Sequence, residues 1–155
     1  MLTNIDLYKI CDFYHIDLHG IYMKDELPIF TQDGNYIINL EASTQGNGKH
    51  WTCLVIRNEN AYFFDPFGAS PSIPVVYFCK GHRLAFNNWI IQNIKSSNCG
   101  WYCVALLLFL SQHNITNRNF YALCNMFSNG FYSNTSRNDP ILKEIFQDCP
   151  YKKPL

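Results

Sequence analysis

Four residues of this chain have types and spacing suited to acyl-transfer chemistry: His50, Asp65, Gln92 and Cys99. Cys99 sits in "SSNCGWYCVALLLFL" (96–110), just ahead of ten consecutive apolar or aromatic residues, Trp101 to Leu110. Asn98 is a favourable helix N-cap, so the spacing predicts that Cys99 occupies the first turn of a buried helix. Unpaired backbone N–H groups and the positive end of the helix dipole meet there. Such a place favours a thiolate, and the same N–H groups can donate to an oxyanion forming on a carbonyl. Gly100 is expected to leave room for a substrate backbone, and Asn98 flanks the thiol on its other side as a further substrate contact.

A thiolate nucleophile needs a base, and the base needs an orienting group. Among five histidines, His50 is the one placed by a glycine-rich stretch, "GNGKH", at the start of the apolar run "WTCLVIR" (51–57). The next run, "AYFF" (61–64), ends in Asp65. If 58–60 form a tight turn, the two strands are antiparallel neighbours, and His50 and Asp65 fall close enough to pair. Gln92 precedes Cys99 by seven residues and is placed to donate an amide N–H to the oxyanion. Each has an ordinary reading when taken alone: Cys99 as a small apolar residue, Asp65 as the first residue of an Asp-Pro turn, Gln92 as a polar loop residue. The order His, Asp, Gln, Cys is what gives them weight.

The elements that must position these residues follow from periodicity. Leu7, Ile10, Cys11 and Tyr14 share one face of a helix over 4–16. "YIINL" (36–40), 51–57 and 61–65 read as strands, as do "VVYFC" (75–79) and "RLAFN" (83–87). A loop containing Pro28 separates the first helix from the first strand. Helices are expected from Cys99 to about Gln112, over 117–127, and from about Asn138, where Pro140 suits a first turn. This order predicts a single α+β domain over 1–155, with helices packed on a mostly antiparallel sheet.

Composition narrows the classes further. With 48% hydrophobic and 15% charged residues, the 155-residue chain is long and apolar enough to bury a core. The longest apolar run falls far short of a membrane span. Seven scattered cysteines cannot all pair, and no basic segment followed by an apolar run opens the sequence, so reduced thiols in a non-secreted protein are expected. The sequons at Asn114 and Asn134 then read as chance. Twelve basic and twelve acidic residues give no net charge to attract nucleic acid, whose involvement is left open. The balance is uneven along the chain. Seven acids and two lysines lie in 1–41, whereas 66–138 holds five basic residues and no acid. This is either a solvated bias or a mildly positive field around Cys99. His15 and His19 have i, i+4 spacing but lack the Glu of a zinc-binding H-E-x-x-H, and no Cys-x2-Cys pair exists, so no metal is expected.

The combined pattern "GKHW", "FFDPFG" and Gln-x6-Cys-Gly resembles the adenovirus-type maturation protease family (adenain) and the wider group that includes proteases of ubiquitin-like modifiers. The segment "LYKICDFYHIDLHGIYMKDELP" resembles that family's N-terminal helix and its G-x-Y segment, so the likeness runs over about 5–112. In style it is nearest to versions from virophages, Polinton-like elements and large DNA viruses. The resemblance implies a papain-like/adenain-like fold with the nucleophile at the N-terminus of a buried helix. It implies Cys99 as nucleophile, His50 as general base and acid, and Asp65 as the orienting acid. Gln92 and the Cys99 N–H form the oxyanion hole, and Trp51 flanks the substrate groove. It further implies a monomeric cysteine endopeptidase that cuts viral capsid or core precursors at Gly-containing sites during virion maturation, in the virion and in the host cytoplasm or nucleus. An activating peptide or DNA is known for such enzymes. The shorter C-terminal end and zero net charge set the expectation here at no cofactor. Removal of ubiquitin-like modifiers is the alternative within proteolysis. A non-catalytic binding module would be expected to lack at least one of the four residues.

Overall fold

The computed structural model describes residues 1–44, 50–152 and 155. A five-stranded sheet is flanked by helices, a mixed α+β architecture. The strands are β1 (Gly20–Met23), β2 (Gly34–Asn39), β3 (Trp51–Arg57), β4 (Asn60–Phe64) and β5 (Arg83–Phe86), side by side in chain order. The helices are α1 (Asn4–Phe13), α2 (Ile73–Phe78), α3 (Cys99–Ser111), α4 (Phe120–Met126) and α5 (Asp139–Ile145). The glycine-rich approach to His50, 45–49, lies outside the described residues.

The centre of the sheet is the expected hairpin. Asn58, at φ 55, turns the chain so that Arg57 pairs with Asn60 and Cys53 with Phe64. β2 joins β3 antiparallel, whereas both edge strands join parallel, β1 on β2 and β5 on β4. Parallel neighbours need a crossover, and the connections 24–33 and 65–82 provide it.

Two local readings differ from the structure. The segment 75–79, expected as a strand, lies mostly in helix α2. Ser72 is extended at the N-cap and Pro74 falls in the first turn, which suits a helix start. Strand alternation would have buried Tyr77. Instead Val75, Phe78 and Cys79 pack behind the sheet at helical spacing, and Tyr77 is 76% exposed. Burial of one helical face thus overrides the β preference of Val, Tyr and Phe. The loop expected after α1 contains the short strand β1, where Gly20 alone is fully buried, so alternation gives no signal.

Apolar side chains fill both faces. Behind the sheet, Tyr36, Ile38, Leu54, Ile56 and Phe63 pack with α2. In front, Ile37, Cys53, Val55, Tyr62 and Phe64 meet α1, α3, α4 and α5. Ten of the thirteen residues of α3 are buried, so this helix has no solvent stripe and runs through the centre of the front layer. α1 carries a capping box, in which Thr3 Oγ1 accepts from the Asp6 N–H and Asp6 Oδ2 from the Thr3 N–H. It buries Leu7, Ile10 and Cys11. Rigid β3, β4 and α3 therefore end around one spot on the front of the sheet.

Candidate active site

His50 immediately precedes β3 and Asp65 immediately follows β4. The ladder continues to hold His50, whose carbonyl accepts from the Leu40 N–H at 2.9 Å. His50 Nε2 lies 2.7 Å from Asp65 Oδ1. That oxygen also accepts the Phe67 N–H at 2.8 Å, so the buried carboxylate (Asp65 is 1% exposed) has two donors. Its backbone is clamped by the buried Asn87 amide. Asn87 Oδ1 accepts from the Asp65 N–H at 3.0 Å, and Nδ2 donates to the Asp65 carbonyl at 2.7 Å. Phe67 stacks on the imidazole, with centroids 4.8 Å apart and planes at 24°.

Nε2 faces Asp65, and Cys99 lies near enough to the imidazole to raise its pKa. Burial opposes charge on His50. The hydrogen bond with Asp65, and the effects of Asp65 and Cys99 on the ring's charge, outweigh it and push the pKa up to about 9. The ring therefore carries its proton at neutral pH. Cys99 Sγ also accepts the Trp51 N–H at 3.3 Å. Burial opposes the charged form of other thiols as well: it pushes Cys11 and Cys124 up to about 12, Cys79 to about 11, and Cys103 well above its ordinary value.

Cys99 heads α3, and the helix start is not closed by a side chain, because Asn98 makes no capping bond. The Asn98 amide instead donates to Asp139 Oδ2 at 3.1 Å. Asp139 Oδ1 receives Ser96 Oγ at 3.0 Å and the Tyr102 hydroxyl at 2.7 Å. Asn138 next to it, fully buried, donates to the Ile91 carbonyl at 2.8 Å. The start of α5 thereby fixes both ends of the loop between Gln92 and Cys99. Asn98 is an anchor for that loop and does not act as the expected cap.

Gly100 also has a different task from the one expected. A Cβ there would lie 3.2 Å from Leu2 Cδ1 and from Trp51 Cδ1, and 3.3 Å from Leu7 Cδ2. The space the glycine leaves is filled by the protein's own N-terminal segment, so it serves packing and gives no room to a substrate. Trp51 is 3% exposed, and its indole N–H donates to the Leu2 carbonyl at 2.8 Å. It forms part of the wall of a groove of about 480 Å³ with Thr3, Tyr22, Glu26 and Ser43.

Gln92 is buried. Its backbone N–H donates to the Pro66 carbonyl at 3.0 Å, and Nε2 donates to the Ser96 carbonyl at 2.8 Å, leaving a second amide hydrogen. It is thus tied both to the turn after Asp65 and to the loop before Cys99. The structure bonds His50 to Asp65 and sets Cys99 beside them, its Sγ accepting the Trp51 N–H. Sequence reasoning missed Phe67, Asn87, Asn138 and Asp139. Phe67 lay within the "FDPFG" turn and is level with His50 when the β3–β4 register is extended. The other three are Asn and Asp residues at a strand end and a helix start, where such residues are ordinary, so nothing local marks them.

No protein-family description matches this chain, and no curated protein matches it. Among solved structures, the crystal structure of the ASFV pS273R protease superposes with a TM-score of 0.49 at 15% identity, covering 85% of this chain and 67% of that one. Its selenomethionine form gives 0.45 at 15% identity, covering 85% and 68%.

Proposed function

We propose that the chain is a cysteine endopeptidase. The observation that carries this reading is the buried Asp65–His50 pair beside a thiol at the start of α3, where no side chain caps the helix. A protonated imidazole stands beside Sγ, ready to give its proton to the leaving group, and Asp65 holds the ring in one orientation. Sγ attacks a peptide carbonyl carbon, a C–S bond forms, and the carbonyl electron pair moves onto oxygen. Gln92 Nε2 and the Cys99 N–H receive this oxyanion. As it collapses, the C–N bond breaks and the leaving amine takes the proton from His50. His50 then accepts a proton from water, which attacks the acyl-enzyme, and the carboxylic product and thiolate separate.

By the sequence resemblance, the substrates are virion precursor proteins cut at Gly-containing sites, with the chain acting in the virion and in infected cytoplasm or nucleus. The test is to follow cleavage of a denatured protein mixture while iodoacetamide labels the enzyme, with the modified thiols mapped. Loss of cleavage should track labelling of Cys99 and of no other cysteine, and His50→Ala should slow that labelling. Cleavage that persists with Cys99 fully alkylated overturns the reading.

A further inference from the structure

Resting on the proteolysis reading above, the geometry points to a second substrate site: an apolar cavity beside His50 that takes the segment C-terminal to the scissile bond and selects a bulky aliphatic or aromatic side chain. The chemistry sets the direction. The group that receives a proton from His50 is the amine of the residue after the cut bond, so that residue lies against the imidazole. Phe67, stacked on that ring, is also a wall of a cavity of about 810 Å³ whose other walls include Trp89, Ile90, Gln92 and Ile94. Gln92, the proposed oxyanion donor, is thus shared between the reacting carbonyl and this cavity. The groove at Trp51 has no residue in common with it. The acyl side and the leaving side of a peptide therefore have separate walls, one reached through Trp51 and the other through Phe67.

The cavity is held to the catalytic carboxylate. The Ile91 and Gln92 N–H groups both donate to the Pro66 carbonyl at 3.0 Å, and Asn87 Nδ2 donates to the Trp89 carbonyl at 3.0 Å. Gly68, at φ +75, packs so closely that a Cβ would lie 2.9 Å from the Trp89 carbonyl oxygen. The walls of the cavity thus keep a fixed position relative to His50. At its rim, Ile94 is 87% and Ile90 57% exposed. Burying a large apolar side chain against such walls favours it over a small or charged one by roughly tenfold or more.

A proteome-derived peptide library digested by the wild-type chain tests this through the sequences of the newly formed N-termini. Leu, Ile, Met or Phe should be enriched about tenfold at one of the first two positions after the cut, and Ile94→Asp should abolish the enrichment. Ile94 is outside the core, and a thermal melt of the variant confirms that it folds; Ile90→Asp provides a second variant. Cleavage with no preference on the leaving side overturns the site while leaving proteolysis standing. So does a preference unchanged in both variants. No cleavage at all by the wild type overturns both readings.

Discussion

Replacing Asp65 by Asn removes a charge while keeping an oxygen for the His50 Nε2–H and Phe67 N–H. In the wild type the imidazole pKa lies at about 9, against an ordinary 6.5, with burial opposing and Asp65 and Cys99 raising it. That net difference corresponds to roughly 3 kcal/mol, left after burial has opposed it. With burial still opposing the charge and Cys99 alone left to raise it, the variant should lower the His50 pKa by at least about one pH unit. The assay is kcat/KM from pH 6 to 10 on a fluorogenic peptide, with the His50 ring proton followed by NMR. The wild-type alkaline limb should fall near pH 9, where the proton is lost, and that of Asp65→Asn correspondingly lower. Stability gives an independent check. A His whose folded pKa is raised contributes stability that is fully present below 6.5 and is lost as pH rises through about 9. Wild type should therefore exceed Asp65→Asn in stability below pH 6.5, and this gap should narrow toward pH 9. An alkaline limb that stays near 9 in the variant refutes the assignment of the carboxylate as the group that charges His50.

Four further outcomes are expected. Cys99→Ala should abolish peptide cleavage while retaining substrate binding, measured by calorimetry with a cleaved wild-type substrate. Gln92→Ala should lower kcat on the order of 10²-fold with a smaller change in KM, the signature of a lost oxyanion donor. Asp139→Ala removes the anchor of Ser96, Asn98 and Tyr102. It should cost on the order of 1–3 kcal/mol in denaturant unfolding and lower kcat more than KM, with partial rescue by Glu. Gly100→Val forces a branched side chain against Leu2, Leu7 and Trp51 and should destabilise by about 1–3 kcal/mol in the same assay.

The division between what the sequence determined and what only the tertiary structure decided follows the range of the interactions. The α+β class, the hairpin at Asn58 and the buried helix beginning at Cys99 were legible, because turn chemistry and apolar runs act over a few residues. A tight turn between two apolar strands is enough to bring His50 to Asp65, so that pairing could be reasoned from local pattern. Other features depend on contacts distant in sequence. Whether 75–79 forms a strand or a helix was decided by which side chains the back of the sheet could bury. Asn87 reaches Asp65 because β5 lies parallel beside β4, a register that a crossover sets and no local signal encodes. Gly100 looked like an opening for substrate until the packing of Leu2 and Leu7 filled it. Asn98 looked like a cap until Asp139, forty-one residues later, claimed its amide. Local chemistry marked the candidate site residues, and the packing of remote segments set their orientation, because hydrogen-bond partners far apart in sequence are chosen only by the completed fold.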